Sequence, residues 1–270
     1  MYPSNRLTMR REDHEKAVAR AQAELAHARA DLDDWTRHHN LFNFGLIDES
    51  RIPQNIRHYR ASYSYEVARR NFLTAQRDFQ LAGGDFMQWT VTLDDIHLQN
   101  ARIVPSRGAM LDHLPKDAVV AEVGTEFGIF TERIVEQTRP RELHLVDMNL
   151  GNFQKSRIQR VIDQGIVQFH EGDSSTILSQ FPNDKFDWIY LDADHFYPGI
   201  KKDIAAAQDK VKPNGLLVFN DYTMWSPFES MAYGVPAAVN EFAVEHHWEF
   251  VYFALQPRGY YDVALRRIAE

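Results

Sequence analysis

The 270-residue chain contains no cysteine, which excludes disulfides, thiolate metal sites and cysteine nucleophiles. It also lacks any apolar run long enough to cross a bilayer. The first residues, Met1-Tyr2-Pro3-Ser4-Asn5-Arg6, do not form the apolar stretch of a secretory signal, so the expected compartment is the cytoplasm. Excess positive charge is missing too. The formal net charge is −8, whereas neutralising duplex phosphates takes clustered Lys and Arg. Neither nucleic acid nor membrane is therefore the expected partner. There is no internal repeat and no low-complexity segment. What remains, 44% hydrophobic and 25% charged residues, is ordinary for a globular protein with one large domain or one domain and an appendage.

Helical spacing marks the N-terminal part. Over residues 11–35, Val18, Ala21, Leu25, Ala28, Leu32 and Trp35 recur at three- and four-residue steps. A second helix is predicted over 57–82, with Tyr63, Val67, Phe72, Ala75 and Phe79 on or near one face and Gly83-Gly84 ending it. Residues 40–54, with aromatics, Gly45 and Pro53, read as a loop between them. Residues 1–87 are thus expected to be a helical appendage: a cap, a lid or a dimer contact through which two copies associate. Residues 88–117 carry mixed signals, with a break at Pro105-Ser106-Arg107-Gly108 and a helical turn or two at 109–114.

From residue 118 the pattern changes. Apolar strand candidates at 118–123, 142–147, 166–170, 187–192 and 215–220 alternate with helical stretches at 128–138, 152–164, 175–180 and 198–211. That is the signature of parallel strands joined by crossovers. The end differs: 248–255 and 260–266, separated by Gln256-Pro257-Arg258-Gly259, read as an antiparallel hairpin. The expected fold over 88–270 is α/β, a Rossmann-like seven-stranded sheet with five parallel strands plus a C-terminal antiparallel hairpin.

Five polar clusters sit at or just after the strand candidates: Glu122-Val-Gly124-Thr125-Glu-Phe-Gly128, Asp147-Met148, Gly172-Asp173-Ser174, Asp192-Ala-Asp194-His195 and Asn220-Asp221-Tyr222. In an open α/β sheet, ligands bind outside the carboxyl ends of the strands, so the five should converge on one crevice. Gly124 and Gly128 allow a sharp turn and a close ligand approach at a helix start. The third glycine of the dinucleotide fingerprint is absent, and Glu122 would repel a pyrophosphate. It would attract a ligand carrying an amine and a sulfonium. Asp147, 23 residues after Gly124, suits the two hydroxyls of a ribose and equally a helix cap. Asp173 and Ser174 suit an adenine edge or a helix start. Asp192, Asn220 and Asp221 offer hard oxygen ligands of the kind Mg²⁺ takes.

These motifs, over about residues 105–268, resemble the class I S-adenosylmethionine-dependent methyltransferases. The resemblance implies that Glu122, Gly124, Thr125 and Gly128 surround the methionine part. It also implies that Asp147 holds the ribose, with Met148 against the base, and that Asp173 and Ser174 hold the adenine. Asp192 is shared between cofactor and metal. Asp192-Ala-Asp194-His195 and Asn220-Asp221-Tyr222 look like a mixture of two metal-dependent O-methyltransferase groups, the catechol/caffeoyl-coenzyme A type and the macrocin/aminocoumarin sugar type. Asn220 stands where the usual first Asp of the second pair would be, and His195 replaces the lysine of the catechol type.

The implied reaction is Mg²⁺-assisted transfer of a methyl group to a hydroxyl of a small molecule, a sugar or polyol first and a catechol-like phenol second. Mg²⁺ would sit on Asp192, Asn220 and Asp221 and lower the pKa of the hydroxyl. Asp194 is the first choice for base and His195 the second, for its near-neutral pKa. Phe196, Tyr197, Tyr222, Trp225 and Phe228 are candidates for the pocket wall. The competing readings are metal-independent methylation of nitrogen or carbon, and a non-catalytic nucleoside-binding interaction protein. A dinucleotide oxidoreductase is disfavoured by the missing glycine.

Overall fold

A stripe of small and apolar side chains opens the structure. In the helix Arg11–His38, Ala21, Leu25 and Ala28 are buried at steps of four and three, as the spacing predicts. The computed structural model describes residues 11–38, 63–65, 67–75, 89–226, 231–256 and 259–269. Residues 63–65 and 67–75 are helical, with Ala68 and Phe72 buried. The expected 40–54 loop, the outer parts of the predicted 57–82 helix and Phe228 lie outside the described residues. The chain divides into two units, Met1–Phe86 and Met87–Glu270. Among the described residues no helix is long and apolar enough to cross a membrane.

Among the described residues the second unit has ten strands: β1 (Arg102–Val104), β2 (Val119–Val123), β3 (Glu142–Asp147), β4 (Val167–Glu171), β5 (Phe186–Leu191), β6 (Val211–Phe219), β7 (Trp225–Ser226), β8 (Met231–Ala232), β9 (Trp248–Leu255) and β10 (Tyr261–Arg267). Eight of them form one mostly parallel sheet in the order β1-β9-β10-β6-β5-β2-β3-β4, and β7 and β8 form a separate ribbon. β9 and β10 pair antiparallel; their connection at 257–258 lies outside the described residues. The expectation of seven strands is corrected to eight. The added β1 pairs in parallel with β9, Ile103 opposite Phe253. Three residues are too few to show periodicity, and the partner strand lies about 150 residues away.

Alternation across the strands explains the layers. Val119, Ala121 and Val123 of β2 face one core with Leu217, Phe219 and the helices Tyr197–Ala207 and Val235–His246. Val120 faces the other core with Trp188, Tyr190, Val218 and the helix Ile129–Thr138. Strands buried on both faces need helices on both. The expected helix over 152–164 is instead broken into the 3₁₀ turns Leu150–Asn152 and Lys155–Ile158 and the short helix Gln159–Asp163. Phe153 interrupts it with extended backbone, its ring set edge-on against Phe169. The helix Val235–His246 follows Gly234, whose N–H donates to the His195 carbonyl at 2.8 Å, and has Pro236 in its first turn.

At the outer strands a histidine pair makes stability pH-dependent. His144 Nε2 lies 2.9 Å from Glu142 Oε1, and His144 Nδ1 lies 3.0 Å from His170 Nε2. Lys185 and Gln168 donate to the same Glu142 oxygen, and Phe181 and Phe186 set their rings edge-on to the imidazoles. The chain is satisfied by two neutral imidazoles: His170 donates to His144, which donates to Glu142. Burial pushes both histidines below their ordinary value. The stability they contribute is therefore present above about pH 6.5 and lost as pH falls, because the unfolded chain then binds more protons. The drop in melting temperature between about pH 7.5 and about pH 5.5 should be smaller in His170→Gln than in the wild type. An equal drop would count against this assignment.

Candidate active site

The sheet order reverses at β2, which has β3 on one side and β5 on the other. This is the topological switch point at which α/β sheets bind ligands. The turn after β2 is tightly constrained. Gly124 (φ 87°) and Gly128 (φ 75°) take left-handed conformations. A Cβ on Gly124 would lie 2.0 Å from the Asp192 carbonyl oxygen, and one on Gly128 would lie 2.6 Å from the Phe153 ring. Only glycine lets this turn nest against the end of β5. Asp147, at the end of β3, ties the turn down: its Oδ2 accepts from Thr125 N (2.7 Å), Glu126 N (3.0 Å) and Thr125 Oγ1 (3.3 Å). Its Oδ1 accepts from Asn149 N at 2.9 Å. Beside it, Met148 is 67% exposed, an apolar surface available to a flat ring.

Behind the turn lies a buried polar network of which motif reading had named only Glu122 and Asn220. Glu122 is enclosed, and Thr131 Oγ1 donates to its Oε2 at 2.5 Å. Burial drives its pKa up to about 8, with the Thr131 bond pulling the other way. Tyr190 Oη donates to Asp262 Oδ2 at 2.6 Å. Asn220 Nδ2 donates to Tyr190 Oη (3.0 Å) and to Asp262 Oδ1 (3.1 Å). Gln256 donates to Asp262 as well. Asp262 is pushed up to about 7, chiefly by burial. Arg107 closes the network, its guanidinium 4.4 Å from the centre of the Phe130 ring. Asp262 lies on the C-terminal strand pair and Arg107 lies 79 residues before the start of β5, so no local motif joins them. The chain break at 105–108 was the only visible sign of Arg107.

At the ends of β5 and β6 a second cluster forms. His195 Nε2 lies 3.3 Å from Asp192 Oδ1 and 3.6 Å from Asp221 Oδ2. Its ring stacks on Tyr233, with centroids 4.7 Å apart and planes at 13°. Asp221 itself has φ 51°, a strained conformation that Asp tolerates better than most residues.

Other predicted residues point elsewhere. Asp194 Oδ1 accepts from Phe196 N at 2.8 Å, and a Cβ on Gly199 would strike its carboxylate. Asp194 is thus packed onto the start of the helix Tyr197–Ala207. Asp173 caps the helix Ser174–Gln180, accepting from Thr176 N at 2.8 Å. Ser174 Oγ donates to the buried Asp203 at 2.6 Å; Asp203 is raised to about 6, mainly by burial. Tyr222 is core rather than pocket wall: its hydroxyl donates to Asn240 at 2.6 Å and its ring meets Phe250 and Phe253 edge-on.

The expected Mg²⁺ ligands were Asp192, Asn220 and Asp221. Asn220 is buried with its amide nitrogen committed to Tyr190 and Asp262, and the His195 ring nitrogen stands between the two carboxylates. Among the described residues no group of three or more His, Asp or Glu side chains is arranged to hold a metal ion. The residues present do not fit the expected Mg²⁺ set.

A glycine turn at the switch point, an acid at the end of the next strand and a second acidic cluster at the ends of β5 and β6 all lie at the carboxyl ends of the parallel strands. Residues 121–222, which carry all of these motifs, match the family model of a methyltransferase domain. That match supports an enzyme that takes its methyl group from S-adenosylmethionine. Comparison with curated proteins gave no match. Among solved structures, the chain is similar to the O-methyltransferase TomG of Streptomyces achromogenes, involved in tomaymycin synthesis, with 19% identity, coverage of 60% of this chain and 80% of that one, and a TM-score of 0.44. It is also similar to the B. subtilis M1A22 tRNA methyltransferase TrmK, with 14% identity, 62% and 67% coverage and a TM-score of 0.46. At these values neither likeness assigns an acceptor.

Proposed function

We propose that the enzyme methylates a hydroxyl group of a small molecule, a sugar or polyol ahead of a catechol-like phenol, with His195 as the base. The observation that carries this reading is the His195 ring nitrogen lying between the carboxylates of Asp192 and Asp221. A neutral hydroxyl is a poor nucleophile and gains from a positioned base. The two acids face the buried Nε2, so a proton taken from the acceptor goes to the other ring nitrogen. The acids then stabilise the imidazolium through Nε2–H, the role a carboxylate plays opposite the basic nitrogen of a catalytic histidine. Tyr233 holds the ring in plane.

S-adenosylmethionine supplies an electrophilic methyl on a sulfonium whose C–S electron pair stays with sulfur. The chain's part is to hold and align. Asp147 and the 124–128 turn seat the nucleoside, with Met148 against the base and Asp173 at its far edge. Glu122 faces the methionyl end from behind the turn, and Asp192 sits between cofactor and acceptor. Holding the acceptor oxygen in line with the methyl is itself a large contribution. Because the His195 ring nitrogen lies between the Asp192 and Asp221 carboxylates, no step is assigned to Mg²⁺. The expected localisation is cytoplasmic, and the N-terminal helices are proposed as a contact between two copies.

The test is methyl transfer from labelled S-adenosylmethionine to panels of polyols, glycosides and catechols, with and without EDTA. Turnover should appear on a hydroxylated acceptor and survive chelation. Loss on chelation with rescue by Mg²⁺ would overturn the metal-free reading. Methylation confined to nitrogen or carbon would overturn the choice of acceptor. Cofactor binding with no turnover on any panel would favour a non-catalytic role.

A further inference from the structure

We infer that Arg107 is the positioning residue that anchors the carboxylate of the cofactor's methionyl group, an inference resting on the assignment of S-adenosylmethionine as methyl donor. The methionyl end of the cofactor carries an anion, yet the groups named at this corner, Glu122, Asp192, Asp221 and Asp262, are all acids. An anion among acids needs a cation or backbone N–H groups to meet it, and a cation offsets the acids' charge most directly. Several cations of this unit pair with acids away from this corner: Arg157 with Glu132, Lys201 with Glu241, Lys185 with Glu142, and Lys212 and Arg141 with Asp187. Arg107 belongs to this corner. Its charge is felt by Glu122, Tyr190 and Asp262, and its guanidinium packs on Phe130, in the first turn of the helix that follows Gly128.

The packing leaves Arg107 suited to the task. Phe130 engages the face of the guanidinium, whereas carboxylates are bound by its N–H edge, often through two parallel bonds. Stacking therefore fixes the plane, and the edge, which bonds Tyr190, still has further N–H donors beyond that one bond. The charge is also held in reserve. Burial favours the protonated forms of Glu122 and Asp262, with values raised to about 8 and about 7, so these acids only partly neutralise Arg107 near pH 7. Burial also acts against the charge of Arg107 itself, but Tyr190, Asp262 and Asp192 outweigh it and keep the guanidinium charged.

The experiment compares S-adenosylhomocysteine with its decarboxylated analogue, 5′-deoxy-5′-(3-aminopropylthio)adenosine, which lacks only the carboxylate. Affinities are measured by calorimetry on wild type, Arg107→Ala and Arg107→Lys. A charge-assisted bond of the usual strength predicts that Arg107→Ala weakens S-adenosylhomocysteine about 10- to 100-fold. The analogue should change by less than about threefold. Arg107→Lys, which keeps the charge but not the fork, should fall between. Equal weakening of both ligands, or no weakening of either, overturns the inference. If Arg107→Ala does not fold, Arg107→Lys carries the same comparison. Failure of wild type to bind either ligand would count against the cofactor assignment instead.

Discussion

Replacing His195 by alanine is expected to lower kcat by about 10²- to 10⁴-fold, the range for a lost general base, with little change in affinity for S-adenosylhomocysteine. On the proposed reading the 124–128 turn and Asp147 seat the nucleoside, and Asp147 spends its oxygens on Thr125, Glu126 and Asn149. His195 instead lies between Asp192 and Asp221 and on the Tyr233 ring. The alanine variant also loses that ring contact, so His195→Gln, which keeps a polar group of similar reach, should be measured beside it. Both should melt near the wild-type temperature and both should be slow. A kcat within about threefold of wild type in either would remove His195 from the base role. Asp194→Ala serves as the contrast. Because that carboxylate caps the Phe196 N–H, its loss should act mainly on stability, by about 0.5–2 kcal/mol.

Gly124→Ala is expected to abolish cofactor binding and to lower stability sharply. At φ 87° any side chain is strained, which costs about 1–3 kcal/mol. The new methyl would also stand 2.0 Å from the Asp192 carbonyl oxygen and 2.4 Å from its carbon. Those are backbone atoms, so relief requires the turn or the end of β5 to shift, adding about 1–3 kcal/mol of overpacking. Domains of this kind are stable by only about 5–15 kcal/mol. Any shift also separates Asp192 from the turn that seats the cofactor. Gly165→Ala is the internal control. It has a similar φ of 71° but nothing within 4 Å of the new methyl, so it should cost the backbone strain alone and leave binding intact. If calorimetry shows Gly124→Ala binding S-adenosylhomocysteine as wild type does, the close nesting of turn and strand is not what holds the cofactor site together.

The parts of the fold legible in the sequence share one property: their signal is local. β2, β3, β5 and the second half of β6 are mostly apolar runs because they are buried on both faces, and each predicted strand, the half-exposed edge strand β4 included, overlaps the one observed. The glycine turn was visible because left-handed backbone selects glycine at Gly124 and Gly128. Less was legible where side-chain chemistry admits two uses. Asp173 and Asp194 are short acids next to helix starts, and the structure has them capping backbone N–H groups. Asn220 has the position expected of a ligand, but its amide serves Tyr190 and Asp262.

By itself, then, the sequence determined that an α/β sheet would bring acids to the carboxyl ends of its strands, because strand period and turn chemistry are written in neighbouring residues. Tertiary structure alone decided that His195 stands between Asp192 and Asp221, that Asp262, Tyr190 and Asn220 bond to one another, and that Arg107 reaches the same corner. It also decided that β1 joins the edge of the sheet. Those pairings link residues far apart along the chain, and which partner a buried polar group finds depends on which strands become neighbours.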